Sequence, residues 1–130
     1  ATLVLRKDPE AARWGLVEVT DRAEVVRITG RGLSEPTATA ARMFAGIHIL
    51  HPRLLRYLPI GKECSIIDAY VQGIHDGERI VGYDFDGFWS DVGTPERYAQ
   101  VERDAAAGLL SLAARSTDGL SRGTPVKREA

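Results

Sequence analysis

The residues best suited to chemistry fall in one stretch, Gly87-Phe88-Trp89-Ser90-Asp91-Val92-Gly93-Thr94-Pro95-Glu96-Arg97-Tyr98. It combines an aromatic pair, a single carboxylate, a glycine turn and the signals of a helix start. Thr94 is a preferred N-cap, Pro95 suits the first helical position, and Glu96 favours the positive end of a helix. The pattern predicts a strand that delivers Asp91 to its end, turns at Gly93 and enters a helix. A carboxylate held between a strand end and a helix N-terminus is where α/β enzymes commonly place metal or phosphate chemistry. These residues leave two readings of Asp91 open: a ligand in such chemistry, or a structural aspartate that caps the turn.

The elements around this stretch read as a mixture of strands and helices. Thr2 to Arg6 is a short apolar run consistent with a buried strand, and Lys7 to Arg13 is a polar loop around Asp8-Pro9. Trp14 to Val19 and Glu24 to Ile28 are two β-rich runs joined by Thr20-Asp21-Arg22-Ala23, the pattern of a hairpin. Gly30 to Thr39 carries two Gly, a Pro, a Ser and two Thr and reads as loop. Met43 to Leu50 is another apolar strand. His51-Pro52 then opens a short helix with Leu54, Leu55 and Leu58, closed by Pro59 and Gly61.

Ser65 is an N-cap with Asp68 in the position of a capping box, and Ile66, Ile67, Tyr70, Val71 and Ile74 share one helical face. Gly77 suits the C-terminal end of that helix. Glu78 to Asp84 and Gly87 to Asp91 are expected as closing strands. A last helix from Pro95 places Tyr98, Val101, Ala105, Leu109 and Leu112 at helical spacing. From Ser116 to Ala130 the composition turns to Ser, Thr, Gly, Pro and charge, which predicts a disordered tail after a domain over residues 1–115. The order of elements predicts an α/β fold with a mixed sheet and flanking helices.

Composition narrows the function classes. The 130 residues carry a formal net charge of −1, so no broad cationic field argues for nucleic acid or for an anionic membrane surface. No apolar run approaches the roughly 20 residues that span a bilayer. The single Cys64 excludes an internal disulfide and a cysteine-rich metal site, which fits a reducing, cytoplasmic setting. The chain opens without Met and is strand-like from its second residue, so a further N-terminal part is expected upstream of Ala1.

Taken together, the segments resemble the C-terminal, acceptor-side part of the Rossmann-like sugar-1-phosphate nucleotidyltransferases. They are nearest to the mannose-1-phosphate guanylyltransferase and N-acetylmuramate-phosphate uridylyltransferase types. The resemblance covers roughly residues 1 to 105. It is carried by Ala1-Thr2-Leu3-Val4 followed by Trp14-Gly15-Leu16-Val17, by Phe44-Ala45-Gly46-Ile47-His48-Ile49-Leu50-His51-Pro52, by Ser65-Ile66-Ile67-Asp68-Ala69-Tyr70, and above all by Gly87 to Pro95. It implies that a sugar-1-phosphate oxygen attacks the α-phosphorus of a nucleoside triphosphate, giving a nucleotide sugar and pyrophosphate. Such chemistry asks for alignment of two polyanions and neutralisation of charge, for which Mg2+ suits, with one or two carboxylates.

By the same resemblance Asp91 is the second magnesium carboxylate, and Gly15 sits where backbone approaches the sugar, or is an ordinary strand glycine at a bulge. Gly46 is a glycine in an apolar strand, where a ligand comes close or packing is tight. His48 faces sugar hydroxyls or serves as a structural histidine between Ile47 and Ile49. The chain departs from the family after the hairpin: relatives often carry Glu-Lys-Pro there, whereas Ile28 runs into Thr29-Gly30-Arg31-Gly32. Arg31 is the candidate cation for the sugar phosphate in place of that lysine, or a solvated loop arginine. Phe44 stands where many relatives have Asn.

The family's glycine-rich nucleotide loop, its catalytic lysine and its first magnesium aspartate would all lie upstream. The expectation is therefore a chain without activity by itself, completed by that N-terminal half or by a homodimer. The alternative is a non-catalytic module that binds sugar phosphate or self-associates through a bare sheet edge near Thr2.

Overall fold

The computed structural model describes residues 1–34 and 38–110. The chain divides into two units, Ala1–Gly87 and a second unit from Phe88 onward. The first unit is α/β, with a mixed sheet of six strands: β1 (Thr2–Arg6), β2 (Leu16–Val19), β3 (Val25–Ile28), β4 (Arg31–Gly32), β5 (Ala40–Ile49) and β6 (Val81–Asp84), in the order β4-β3-β2-β5-β1-β6. Among the described residues the β1–β6 pair is parallel and the other neighbouring strands pair antiparallel. The helices are α1 (Ala11–Trp14), a 3₁₀ turn over Pro52–Tyr57, and α2 (Ile66–His75). The second unit contributes α3 (Pro95–Ala106).

Strand alternation builds the core. Leu3, Leu5, Val17, Val19, Val25 and Ile28 point to one face of the sheet and pack with Leu54, Tyr70, Ile74 and Ile80. On β5, Phe44 packs against this cluster, while Met43 and Ala45 alternate to the other face and are also buried. The hairpin expected from Thr20 to Ala23 forms: the Thr20 N–H donates to Glu24 O at 2.9 Å and the Ala23 N–H to Thr20 O at 3.0 Å.

α2 starts and stops as its sequence dictates. The Ser65 hydroxyl accepts from the Ile67 N–H at 3.2 Å. At the other end Gly77 takes φ +77°, its N–H bonds Ile74 O, and the Glu78 N–H bonds Gly73 O at 2.8 Å. That pair of bonds is the Schellman closure, which needs a residue tolerant of the left-handed region. The capping box does not close, because the Asp68 carboxylate receives the Arg31 guanidinium instead.

Several expectations are corrected. Gly87 to Asp91 forms no strand. The Gly87 carbonyl accepts from the Arg6 guanidinium, and the Phe85 ring lies where a Cβ on Gly87 would stand, so the segment is turned away from ladder geometry. β6 begins only at Val81. Residues 11–14 are helical, rather than loop to Arg13 and strand from Trp14: the Asp8 carboxylate accepts from the Glu10 N–H at 2.7 Å and starts the turn. The loop after the hairpin contains β4, paired with β3 through Ile28 and Arg31. β1 is an interior strand held by β5 and β6, so Thr2 does not lie at an edge. Residues 116–130, expected as a disordered tail, and Leu112 lie outside the described residues.

Candidate functional site

Two glycines at positive φ, Gly15 and Gly30, line an open cavity of the first unit. Gly15 ends α1 with φ 125° and ψ 82°, donates its N–H to Ala11 O, and passes directly into β2. A Cβ built on Gly15 meets no atom within 4 Å. Gly15 therefore owes its type to the backbone angle and opens onto free space. It lines a cavity of about 500 Å3 with Ala12, Arg13, Trp14, Leu16, Thr29 and Gly30. That volume lies in the range of small-molecule sites, about 300–1,000 Å3.

The lip of this cavity is the β3–β4 turn. Thr29 has φ 51° and Gly30 φ 77°, the positive pair that tight hairpin turns require. Thr29 is a β-branched residue in a conformation that sterically suits glycine, which costs about 1–2 kcal/mol. Three bonds hold it there: the Thr29 N–H to Leu16 O at 2.7 Å, its hydroxyl to Ile28 O at 2.8 Å, and the Arg27 Nη2 to Gly30 O at 2.8 Å. Arg27 is in turn 3.4 Å from the Glu18 carboxylate across the β2–β3 ladder. Strained residues fixed by their surroundings cluster at binding sites, which adds weight to this cavity.

The expected site residues are distributed unevenly. Gly15 lines the cavity. Gly46, at φ +77° in the irregular part of β5 opposite Leu3 and Leu5, also has open space at its Cβ. It lies two residues beyond Phe44, whose N–H reaches Gly15 O at 3.4 Å. Arg31 does not line the cavity; its Nη1 donates to Asp68 Oδ1 at 2.8 Å at the start of α2.

His48 turns toward the core. Its Nδ1 shares a hydrogen bond of 2.9 Å with the Tyr70 hydroxyl, and its ring stacks on Phe44 at 5.9 Å. Burial pushes the Tyr70 hydroxyl up to about 12, so it stays a neutral phenol at ordinary pH. Arg13, Trp14, Thr29 and Gly30 were not among the site residues expected from the sequence. The signal available was a helix start at Asp8-Pro9-Glu10 followed by two alanines, which would have carried Arg13 and Trp14 to the end of α1.

In the second unit, Asp91 lies on an irregular segment before α3. Its Oδ1 accepts from the Gly93 N–H at 2.7 Å and its Oδ2 from Arg97 Nη1 at 2.5 Å. The Thr94 side chain caps α3 by accepting from the Arg97 N–H at 3.4 Å, with Pro95 in the first turn. Asp91 thus closes the turn, and its side chain is still 37% exposed. Among the described residues no three His, Cys, Asp or Glu converge as a metal cage. Both Asp91 oxygens are engaged by the Gly93 and Arg97 donors, and each keeps a second lone pair.

Several other charged groups of the first unit are paired. Arg42 forms a two-pronged pair with Asp84, at 2.8 and 2.9 Å, which lowers the Asp84 carboxyl and raises the guanidinium. Arg53 and Arg56 converge on one oxygen of Glu78 at 2.6 and 2.8 Å, and the Arg53 hydrogen bond holds that carboxyl below its usual range. No helix among the described residues is long and apolar enough to cross a membrane.

A family model described as nucleotidyl transferase matches residues 1–108. The chain is 27% identical over 99 residues to a mannose-1-phosphate guanyltransferase of Debaryomyces hansenii, an alignment covering 75% of this chain and 26% of that protein. The chain therefore spans about a quarter of the length of that relative.

Proposed function

The chain belongs to the nucleotidyl transferase family, and from that membership we propose that it is the acceptor side of an enzyme joining a nucleoside triphosphate to a sugar-1-phosphate. The phosphate oxygen of the sugar attacks the α-phosphorus, the bond to the β-phosphate oxygen breaks, and pyrophosphate leaves. The relative of Debaryomyces hansenii is named for mannose 1-phosphate, which makes that compound the first substrate to try. In this reading the chain supplies only part of the machinery and is inactive without the nucleotide-binding half.

The observation that carries the reading is the cavity at Gly15. Gly15 brings no side chain to its lining and a Cβ there would meet no atom within 4 Å, so a sugar can approach the main chain closely at that point. Its lip is held rigid by Arg27 and by the Thr29 bonds, which keeps the geometry fixed before a ligand arrives. Asp91 is the residue that would hold a magnesium ion together with the nucleotide's phosphate oxygens. When bound, such a cation neutralises charge on the reacting phosphoryl group. Gly93 and Arg97 fix the Asp91 carboxylate by their two hydrogen bonds, so the carboxylate is oriented without the metal.

The test is pyrophosphate release from a nucleoside triphosphate and mannose 1-phosphate, using the full-length protein that carries this chain. Asp91→Asn is expected to lower the rate by at least about 100-fold, the order seen when one transition-state electrostatic partner is lost. An unchanged rate removes the metal role from Asp91. Absence of turnover with every sugar-1-phosphate tried sinks the acceptor reading.

A further inference from the structure

Resting on the sugar-phosphate reading above, we infer that Arg13 is the cation that receives the phosphate of the acceptor, in place of Arg31. Two arginines near the Gly15 cavity are already engaged. Arg31 is bound at 2.8 Å by Asp68, away from the cavity lining. Arg27 spends one nitrogen on Gly30 O and lies against Glu18, where it braces the lip. Arg13 lines the cavity itself, two residues before Gly15.

Its surroundings leave it able to take an anion. Among the described residues the carboxylate paired with it is Glu10, at 3.5 Å, between side chains that are 67% and 60% exposed. An exposed pair of this kind at i,i+3 is weak and is readily exchanged for a doubly charged ligand. The Arg13 guanidinium also lies 5.3 Å over the Trp14 ring. A cation–π contact of this kind holds the group near the ring without using its N–H donors, which stay available for a ligand. A planar fork held in this way suits two-pronged recognition of phosphate oxygens. Arg13 also stands in the last turn of α1, where its charge offsets the carbonyl end that a phosphate would otherwise meet.

The experiment is calorimetric titration of this chain with mannose 1-phosphate and with free mannose, for the wild type, Arg13→Gln, Arg13→Lys and Arg31→Gln. Arg13→Gln is expected to weaken mannose 1-phosphate about 10- to 100-fold, the worth of one or two hydrogen bonds to a charged group, and to leave free mannose within about twofold. Arg13→Lys is expected to recover part of the loss, and Arg31→Gln to bind as the wild type does. A structural role for Arg13 would shift both ligands together and overturns the inference. Unchanged binding of mannose 1-phosphate by Arg13→Gln also overturns it, while leaving the acceptor reading intact. A loss confined to Arg31→Gln returns the role to Arg31. If the wild type binds neither compound, nor glucose 1-phosphate, the acceptor reading itself falls and this inference with it.

Discussion

Gly15→Ala separates backbone strain from ligand contact at one position. The φ of 125° lies well outside the left-handed well near +50 to +70°, and the new methyl would meet no protein atom within 4 Å. The cost to folding is therefore conformational alone, toward the upper part of the about 1–3 kcal/mol typical of such residues. Gly30→Ala, at φ 77° and equally open, sits close to the permitted well and is expected to cost about 1 kcal/mol. Gly32→Ala combines φ 140° with a Cβ only 2.2 Å from Val26 O, a backbone atom that cannot move aside, and is expected to be the most damaging of the three.

Urea unfolding gives the order, and each kcal/mol should lower Tm by about 4–8 °C in a domain of this size. The methyl on Gly15 enters the cavity, so the folded variant should also bind mannose 1-phosphate at least about tenfold more weakly, as expected for a clash or lost contact of about 1.4 kcal/mol. A Gly15→Ala protein as stable as the wild type would refute the strain argument. Normal affinity in the folded variant would refute the placing of the ligand.

Two further outcomes test the rest of the first unit. Tyr70→Phe removes the partner of His48 Nδ1 inside the core and should cost about 1–2 kcal/mol in urea unfolding. It should leave sugar-phosphate affinity alone, and a matched loss of affinity would bring His48 back to the substrate. Asp84→Asn breaks the two-pronged pair with Arg42 and should cost about 1 kcal/mol at neutral pH. Asp84 has a folded-state value below its ordinary 3.8, so its contribution is present above that value and is lost as pH falls through the lower folded one. Wild type and variant should therefore converge in acid, and a gap that stays constant down the acid limb contradicts the pairing.

What was legible in the sequence was what a few neighbouring residues decide. Ser65 and Gly77 fix both ends of α2, Thr94 and Pro95 start α3, and Thr20 to Ala23 turn the hairpin, because caps and turns close within five residues. The alternation of Leu3, Leu5, Val17 and Val19 marked the core face for the same local reason. The family resemblance also rested on such local runs, and it singled out Gly15, which the structure sets beside open space. The tertiary structure decided the pairings. β1 became an interior strand because β5 and β6, distant in sequence, both bond to it, and Gly87 lost its strand to the guanidinium of Arg6. Arg31 and Arg13 are both arginines in polar runs, and only the arrival of Asp68 beside one and of the Gly15 cavity beside the other tells them apart. A side chain's partner is set by elements that meet across the fold, whereas a cap or turn is set by its own neighbours.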